Sequence, residues 1–268
     1  MEDQKPHLQS CHALVKRVSP FLSRGTVVVA HLLCLVGPVT HARGAELFGG
    51  WEGDTNIQGY AFVSLGVAGP LTPRISVAAR ITSSYLYYEF PEGSATVDVT
   101  SPGVDFLVGP RLAVGDGGSL LVVGGVELRR NTEEAADRVK GTVTKEEDNR
   151  TAARAQALLY LPFRQQNVGM LLVDYGDANQ YIFSKLVLKR RVTALREGTT
   201  TSAMLGVDVT GQGNDDVRSF QVGGLIELSF VNVPLNIGLR AGYKRSRFAD
   251  DTSWDGAYFG ADFYTRFP

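Results

Sequence analysis

The chain has 268 residues, with 27 Lys and Arg against 28 Asp and Glu, 30 glycines and a mean hydropathy of -0.04. Near-neutral charge argues against a nucleic-acid partner, and glycine is richer than in an average globular protein. No run approaches the twenty or so apolar residues of a membrane helix.

The first segment reads as an export leader. Lys16, Arg17 and Arg24 precede an apolar run, Thr26 to Val36. Gly37 and Pro38 break it before a small-residue site at Thr40, His41 and Ala42 or at Ala45. We take residues 1–45 as a secretory leader and residues 46–268 as a single domain. All four histidines (His7, His12, His31, His41) and both cysteines (Cys11, Cys34) fall in that leader. The remainder would lack Ser-His and Cys-His catalysis, imidazole and thiolate metal sites, and disulfides. The expectation is a chain that is not an enzyme and needs no cofactor or metal.

From Glu46 onward the pattern is apolar-polar alternation in runs of about ten residues, the length that carries a tilted strand across a bilayer. Glu46 to Gly53 opens the series, with Trp51 placed for an aromatic belt. Ile57 to Ala68 puts Ala61, Val63, Leu65 and Val67 on one face. After Gly69-Pro70-Leu71-Thr72-Pro73, Ile75 to Phe90 sets Ile75, Val77, Ala79 and Ile81 against Ser76, Ala78, Arg80, Thr82 and Ser84. Tyr85, Tyr87 and Tyr88 read as an interfacial girdle. Pro91 to Pro102 reads as a polar loop. Gly103 to Val114 has Val104, Phe106, Val108 and Leu112 opposite Asp105 and Arg111, and Gly115 to Gly118 is a hairpin turn. Ser119 to Arg130 carries Glu127 and Arg129 on its wetter face. Asn131 to Arg150, dense in charge and free of aromatics, is expected to be a solvated, mobile loop. Thr151 to Phe163 sets Ala153, Ala155, Ala157, Leu159 and Leu161 against Arg154, Gln156, Leu158 and Tyr160. Val168 to Tyr175, Gln180 to Val192 and Thr200 to Thr210 continue the series less cleanly.

The last fifty residues are the clearest. Phe220, Val222, Ile226 and Leu228 oppose Ser219, Gln221 and Glu227; Leu235, Ile237, Leu239 and Tyr243 oppose Asn236, Arg240 and Lys244. Phe259, Ala261, Phe263 and Phe267 then oppose Asp262, Tyr264 and Arg266. Alternation alone fits a soluble sheet as well as a barrel. Strand length, the two chain ends and an apparent rhythm of short and long connections select the barrel. The expected fold is all-β: a transmembrane antiparallel up-and-down β-barrel of about 12 strands, with 10 or 14 as alternatives.

Turning the wetter face inward fills the lumen with Arg80, Asp105, Arg111, Glu127, Arg129, Arg154, Lys185, Lys189, Glu227, Arg240, Lys244, Asp262 and Arg266, joined by Asp174, Arg191 and Asp208. Mixed charge in a confined lumen favours structural ion-pair networks; the other reading is a polar path for an anionic or hydroxyl-rich solute. Asp105 and Glu127 also invite comparison with a glycosidase pair, which needs a separation of about 5 to 9 Å. The oxygen-rich segments Gly211 to Asp216 and Asp250-Asp251 lack EF-hand spacing and read as solvated loops.

Three segments resemble the cellulose biosynthesis protein BcsS family of Gram-negative bacteria: Val123-Gly124-Gly125-Val126-Glu127-Leu128-Arg129, Ala157-Leu158-Leu159-Tyr160-Leu161-Pro162, and Arg240-Ala241-Gly242-Tyr243-Lys244-Arg245 with the following Gly256-Ala257-Tyr258 to Phe267. The resemblance spans about Glu46 to Phe267. It implies an outer-membrane barrel tied to cellulose (exopolysaccharide) production or secretion, with no established site residues to carry over. The partners expected are outer-membrane lipid and either cellulose or its secretion machinery. A general porin-like pore for small solutes is the rival function.

Overall fold

The computed structural model describes residues 44–267, apart from 57, 93–94, 138–140, 165, 179, 193–200, 216, 231–232 and 249–251. The expected leader up to residue 43 lies outside the described residues. Twelve strands form one closed antiparallel barrel. They are β1 (Glu46–Asp54), β2 (Gly59–Pro70), β3 (Ile75–Glu92), β4 (Ala95–Val114), β5 (Gly118–Asp137) and β6 (Thr142–Phe163). The second half contains β7 (Asn167–Gly176), β8 (Tyr181–Val192), β9 (Thr201–Gly213), β10 (Val217–Phe230), β11 (Leu235–Phe248) and β12 (Ser253–Arg266). Each strand pairs with its chain neighbours, and β1 closes on β12 from Glu46↔Arg266 to Asp54↔Tyr258. Closure removes every sheet edge inside the bilayer, where an unpaired peptide group costs several kcal/mol.

The side-chain alternation fixes inside and outside as expected. Phe106, Val108, Val122, Val126, Leu128, Leu171, Leu186, Val207, Ile226 and Leu239 are exposed on the outer wall. A contiguous apolar exterior of this extent is what lipid covers in a membrane barrel. Inside, Asp105, Glu127, Lys185, Asp208, Gln221 and Lys244 are buried. The first and last strands begin and finish at one end of the barrel, here the terminal end; the other is the far end.

Two expectations need correction. The expected loop Asn131 to Arg150 is instead a hairpin: β5 runs to Asp137 and β6 starts at Thr142, paired from Asp137↔Thr142 through Arg129↔Arg150. Pro91 to Pro102 is likewise mostly strand, with β3 and β4 paired as far as Glu92↔Ala95. In β4 Val97, Val99 and Ser101 are buried at the inward parity, whereas 141–150 of the β5–β6 hairpin is exposed throughout, so the apolar alternation that marks a lipid-facing strand is absent from the hairpin. Opposite charges meet there instead: Arg130 pairs with Glu147, Lys145 reaches Glu147 at 2.6 Å, and Arg150 reaches Asp148 at 2.5 Å. Four strands of 18 to 22 residues therefore project beyond the rest at the far end. What the sequence suggested as alternating loop length is an alternation of strand extension. The tyrosine girdle is also narrower: Tyr85 and Tyr87 share the outward face of Ile81, whereas Tyr88 has the opposite parity and stacks on Phe90 at 6.1 Å.

Candidate functional site: the lumen

The inner wall brings nearly all the predicted charges together, in three groups. At the terminal end, Arg111 on β4 forks onto Glu46 of β1 through two bonds of 2.8 Å. Arg266 stands opposite Glu46 in the β1–β12 ladder, exposed at the rim. Arg80 lies 4.6 Å above the Phe48 ring, a cation–π contact, and donates to Gln156 on β6. Ala78, Leu107, Leu121 and Val123 form an apolar cluster on the same inner wall, with Ala68 and Leu158 against it. Glu46, Arg80 and Arg111 meet this cluster around a gap of about 10 Å³. That is room for one water at most.

The second group centres on Arg154 of β6. Its guanidinium holds Asp174 at 2.7 Å and Asp105 at 2.7 Å, with Glu127 at 3.4 Å. Arg129 takes Glu127 at 2.6 Å and also donates to Ser84 and Ser101. Asp105 and Glu127 are direct register partners on β4 and β5. Two carboxylates opposite each other repel, and the shared arginine is what makes the placement tolerable. The glycosidase comparison fails here because ion pairs occupy both groups and the wall leaves no space for a sugar between them.

The third group lies on the facing wall. Tyr258 of β12, 1% exposed, donates to both oxygens of Asp208 on β9 at 3.1 Å. Between them run Gly242 of β11 and Gly223 of β10, in one lateral row Tyr258↔Gly242↔Gly223↔Asp208. A Cβ on Gly223 would fall 2.3 Å from the Tyr258 hydroxyl, and one on Gly242 2.8 Å from the ring. The glycines are thus the bed on which the ring lies. Lys185 adds 3.4 Å to Asp208, Lys189 meets Glu227 at 2.6 Å, and Arg240 pairs with Asp262 and lies 3.8 Å from Glu52. Towards the far end Lys244 holds Asp54 at 2.7 Å and Gln58 at 2.8 Å, and Gln221 donates to Glu52 at 2.8 Å. Tyr181 of β8 comes within electrostatic reach of Tyr60 on β2, six strands away around the barrel.

Sequence reasoning missed the inward carboxylates Glu46, Glu52 and Asp54. Their signal was present, since all three share one parity in β1, but the intervening glycines hid the alternation. It also missed the inner aromatics Phe48, Tyr60 and Phe62; Tyr60 and Phe62 stack at 5.7 Å. Outside the lumen, the far rim has an open polar cleft of about 370 Å³ lined by Thr55, Asn56, Ser253, Trp254 and Asp255.

No family model and no curated protein matches the chain. Among solved structures, the translocator domain of the autotransporter NalP from Neisseria meningitidis is similar at TM-score 0.49 and 14% identity, covering 92% of this chain and 98% of that one. The β domain of the Bordetella autotransporter BrkA is similar at TM-score 0.44 and 17% identity, over 83% of this chain and 97% of that one. LpxR from Salmonella typhimurium is similar at TM-score 0.39 and 12% identity, over 82% of this chain and 99% of that one. The expectation that the chain is not an enzyme is withdrawn. That expectation rested on missing imidazole and thiol groups, and carboxylates and tyrosines can also transfer protons.

Proposed function

We propose that the chain is an outer-membrane barrel with a closed lumen that serves cellulose production or export as a fixed component of the secretion apparatus. The observation that supports the closed-lumen part is the set of ion pairs and hydrogen bonds joining inward side chains of non-adjacent strands, among them Arg111–Glu46, Arg154–Asp105, Lys244–Asp54 and Gln221–Glu52. A diffusion pore needs a continuous aqueous path, so ion pairs that consume one another's charge favour a structural interior. The outer membrane follows from the architecture, because closed barrels with apolar exteriors are the strand-built solution to crossing a bilayer. The cellulose link draws on the resemblance of the Val123–Arg129, Ala157–Pro162 and Arg240–Phe267 segments. With no path through the lumen, the glucan itself would pass elsewhere, and this barrel would hold partners through its connections and the β3–β6 extension.

The test is deletion of the gene with its neighbours intact, followed by measurement of secreted cellulose. A fall restored by the wild-type gene is expected. Unchanged cellulose with reduced uptake of small solutes would replace this reading with the porin-like one.

A further inference from the structure

At the far rim the β1–β2 turn lies over the start of β12, and the open polar cleft of about 370 Å³ sits where they meet. The joint is rigid on both sides. The Asp54 carboxylate caps the turn by accepting from the backbone N–H of Asn56 at 2.8 Å and of Gln58 at 3.0 Å, while Lys244 holds its other oxygen at 2.7 Å. Thr55 N–H donates to the Ala257 carbonyl at 3.0 Å. A Cβ on Gly256 would overlap the Thr55 hydroxyl, so the glycine is what lets the turn seat on β12. On the other side Phe248 N–H donates to the Thr252 carbonyl at 2.9 Å, and the Phe248 ring packs on Trp254 at 4.9 Å with 63° between the planes. Trp254 is thus a fixed, half-buried aromatic wall beside the exposed Thr55, Ser253 and Asp255. The Thr55 and Ser253 hydroxyls and the Asn56 amide make no side-chain hydrogen bond among the described residues.

We propose that this cleft binds a short stretch of a neutral oligosaccharide. A pyranose ring has an apolar C–H face and a rim of hydroxyls that both donate and accept. An indole wall with an amide, two hydroxyls and a carboxylate around it answers both features. The charges beside the cleft are matched, which selects a neutral ligand. Asp255 faces Arg245 across the β11–β12 ladder and accepts from the Tyr243 hydroxyl at 3.3 Å, and Arg247, the register partner of Ser253, is engaged as well. Neither a phosphate nor a metal ion meets a net field there, and among the described residues no group of three His, Cys, Asp or Glu side chains could hold a metal. Walls fixed in advance reduce the ordering that binding costs. The β3–β6 extension marks the far rim as the external one in an outer-membrane barrel, where a secreted glycan passes. The inference rests on the proposed cellulose role for the name of the glycan, while the chemistry of the cleft stands without it.

The experiment uses the refolded full barrel in a detergent without a sugar headgroup, with cellopentaose, maltopentaose and oligogalacturonate as probes, read by isothermal titration. Saturable binding of cellopentaose is expected. Trp254→Ala should weaken it about tenfold or more, because ring stacking and the apolar area it covers are lost together. Trp254→Phe should recover part of that loss, and Asn56→Ala should weaken binding about threefold through one lost hydrogen bond. Heat-modifiable gel migration checks that each variant is folded. If Trp254→Ala does not fold, the Asn56→Ala/Ser253→Ala variant carries the test, since neither side chain is bonded to the rest of the described barrel. Binding by the tested variant equal to wild type, or no saturable binding of either neutral glycan, would overturn the site. Oligogalacturonate that binds as tightly as the neutral chains would overturn the neutral assignment. Maltopentaose that binds where cellopentaose does not would overturn the link to cellulose. The gene deletion separates the two readings: Trp254-dependent binding with unchanged cellulose secretion sinks the cellulose role alone. Trp254-independent binding with lost secretion sinks the cleft alone.

Discussion

Arg154 shows how one side chain can hold a lumen together. It serves Asp105, Asp174 and Glu127, and its own side chain is only 13% exposed. Arg154→Gln would leave three carboxylates facing one another with Arg129 as the nearest cation. Breaking a buried pair by removing one partner costs about 3–5 kcal/mol. The expected result is a fall of that order in unfolding free energy, read from urea titration of the reconstituted barrel by tryptophan fluorescence. Arg154→Lys should fall between, because a point charge cannot fork onto Asp105 and Asp174 together. A Gln variant as stable as wild type would show that the carboxylates find other partners. Parity puts Arg154, Asp105 and Glu127 on the wetter face, and in the structure the three side chains meet one another. Who pairs with whom could not be read that way. Arg111 reaches past β3 and β2 to Glu46, a contact between non-neighbouring strands that parity does not reveal.

The elements divide into those lipid has marked and those it has not. β10 was legible to the residue, and β11 and β12 over the part that lipid faces, because lipid on one side and a wet lumen on the other impose a period of two; β11 runs on to Phe248 and β12 starts at Ser253. The outer halves of β5 and β6 carry no such signature, since water meets both faces, and their strand character comes from partner matching along the hairpin. Glu147 is central to that matching. Hydrogen bonds from Lys145 and then Arg130 hold its carboxyl below the ordinary value of 4.5. A lowered folded value means the stabilisation is fully present above about pH 4.5 and disappears as pH falls through the folded value. The group is in water, so the effect is small and local. Hydrogen exchange, corrected for intrinsic rates, should show protection at 142–149 falling in that acidic window while β10 and β11 keep theirs. Glu147→Gln should abolish the pH dependence. Protection of the tip that ignores pH would mean the backbone ladder alone holds the hairpin.

At the scale of the whole molecule the question is whether twelve strands enclose a passage. Strand number and closure were readable, because an even count with both ends together is what a closed up-and-down barrel requires. Occlusion was not, since inward charge is equally suited to a wet channel and to a salt-bridged interior, and the difference lies in distances across the barrel. At the terminal end Arg111 spans from β4 to Glu46 on β1 beside Arg80, Leu107 and Leu121, and the proposed closure is assigned to that layer. In planar bilayers the wild-type barrel should therefore pass no steady current. The Arg80→Ala/Arg111→Ala/Leu121→Ala variant removes two long cations and an apolar filler from that one layer, and should give discrete conductance steps. Phe220→Ala, which alters the lipid face, should stay as silent as wild type. Steady wild-type conductance would refute a closed lumen. A silent triple variant would shift the obstruction to the Arg154 layer, where the same recording on an Arg154→Ala/Arg129→Ala barrel should then open it.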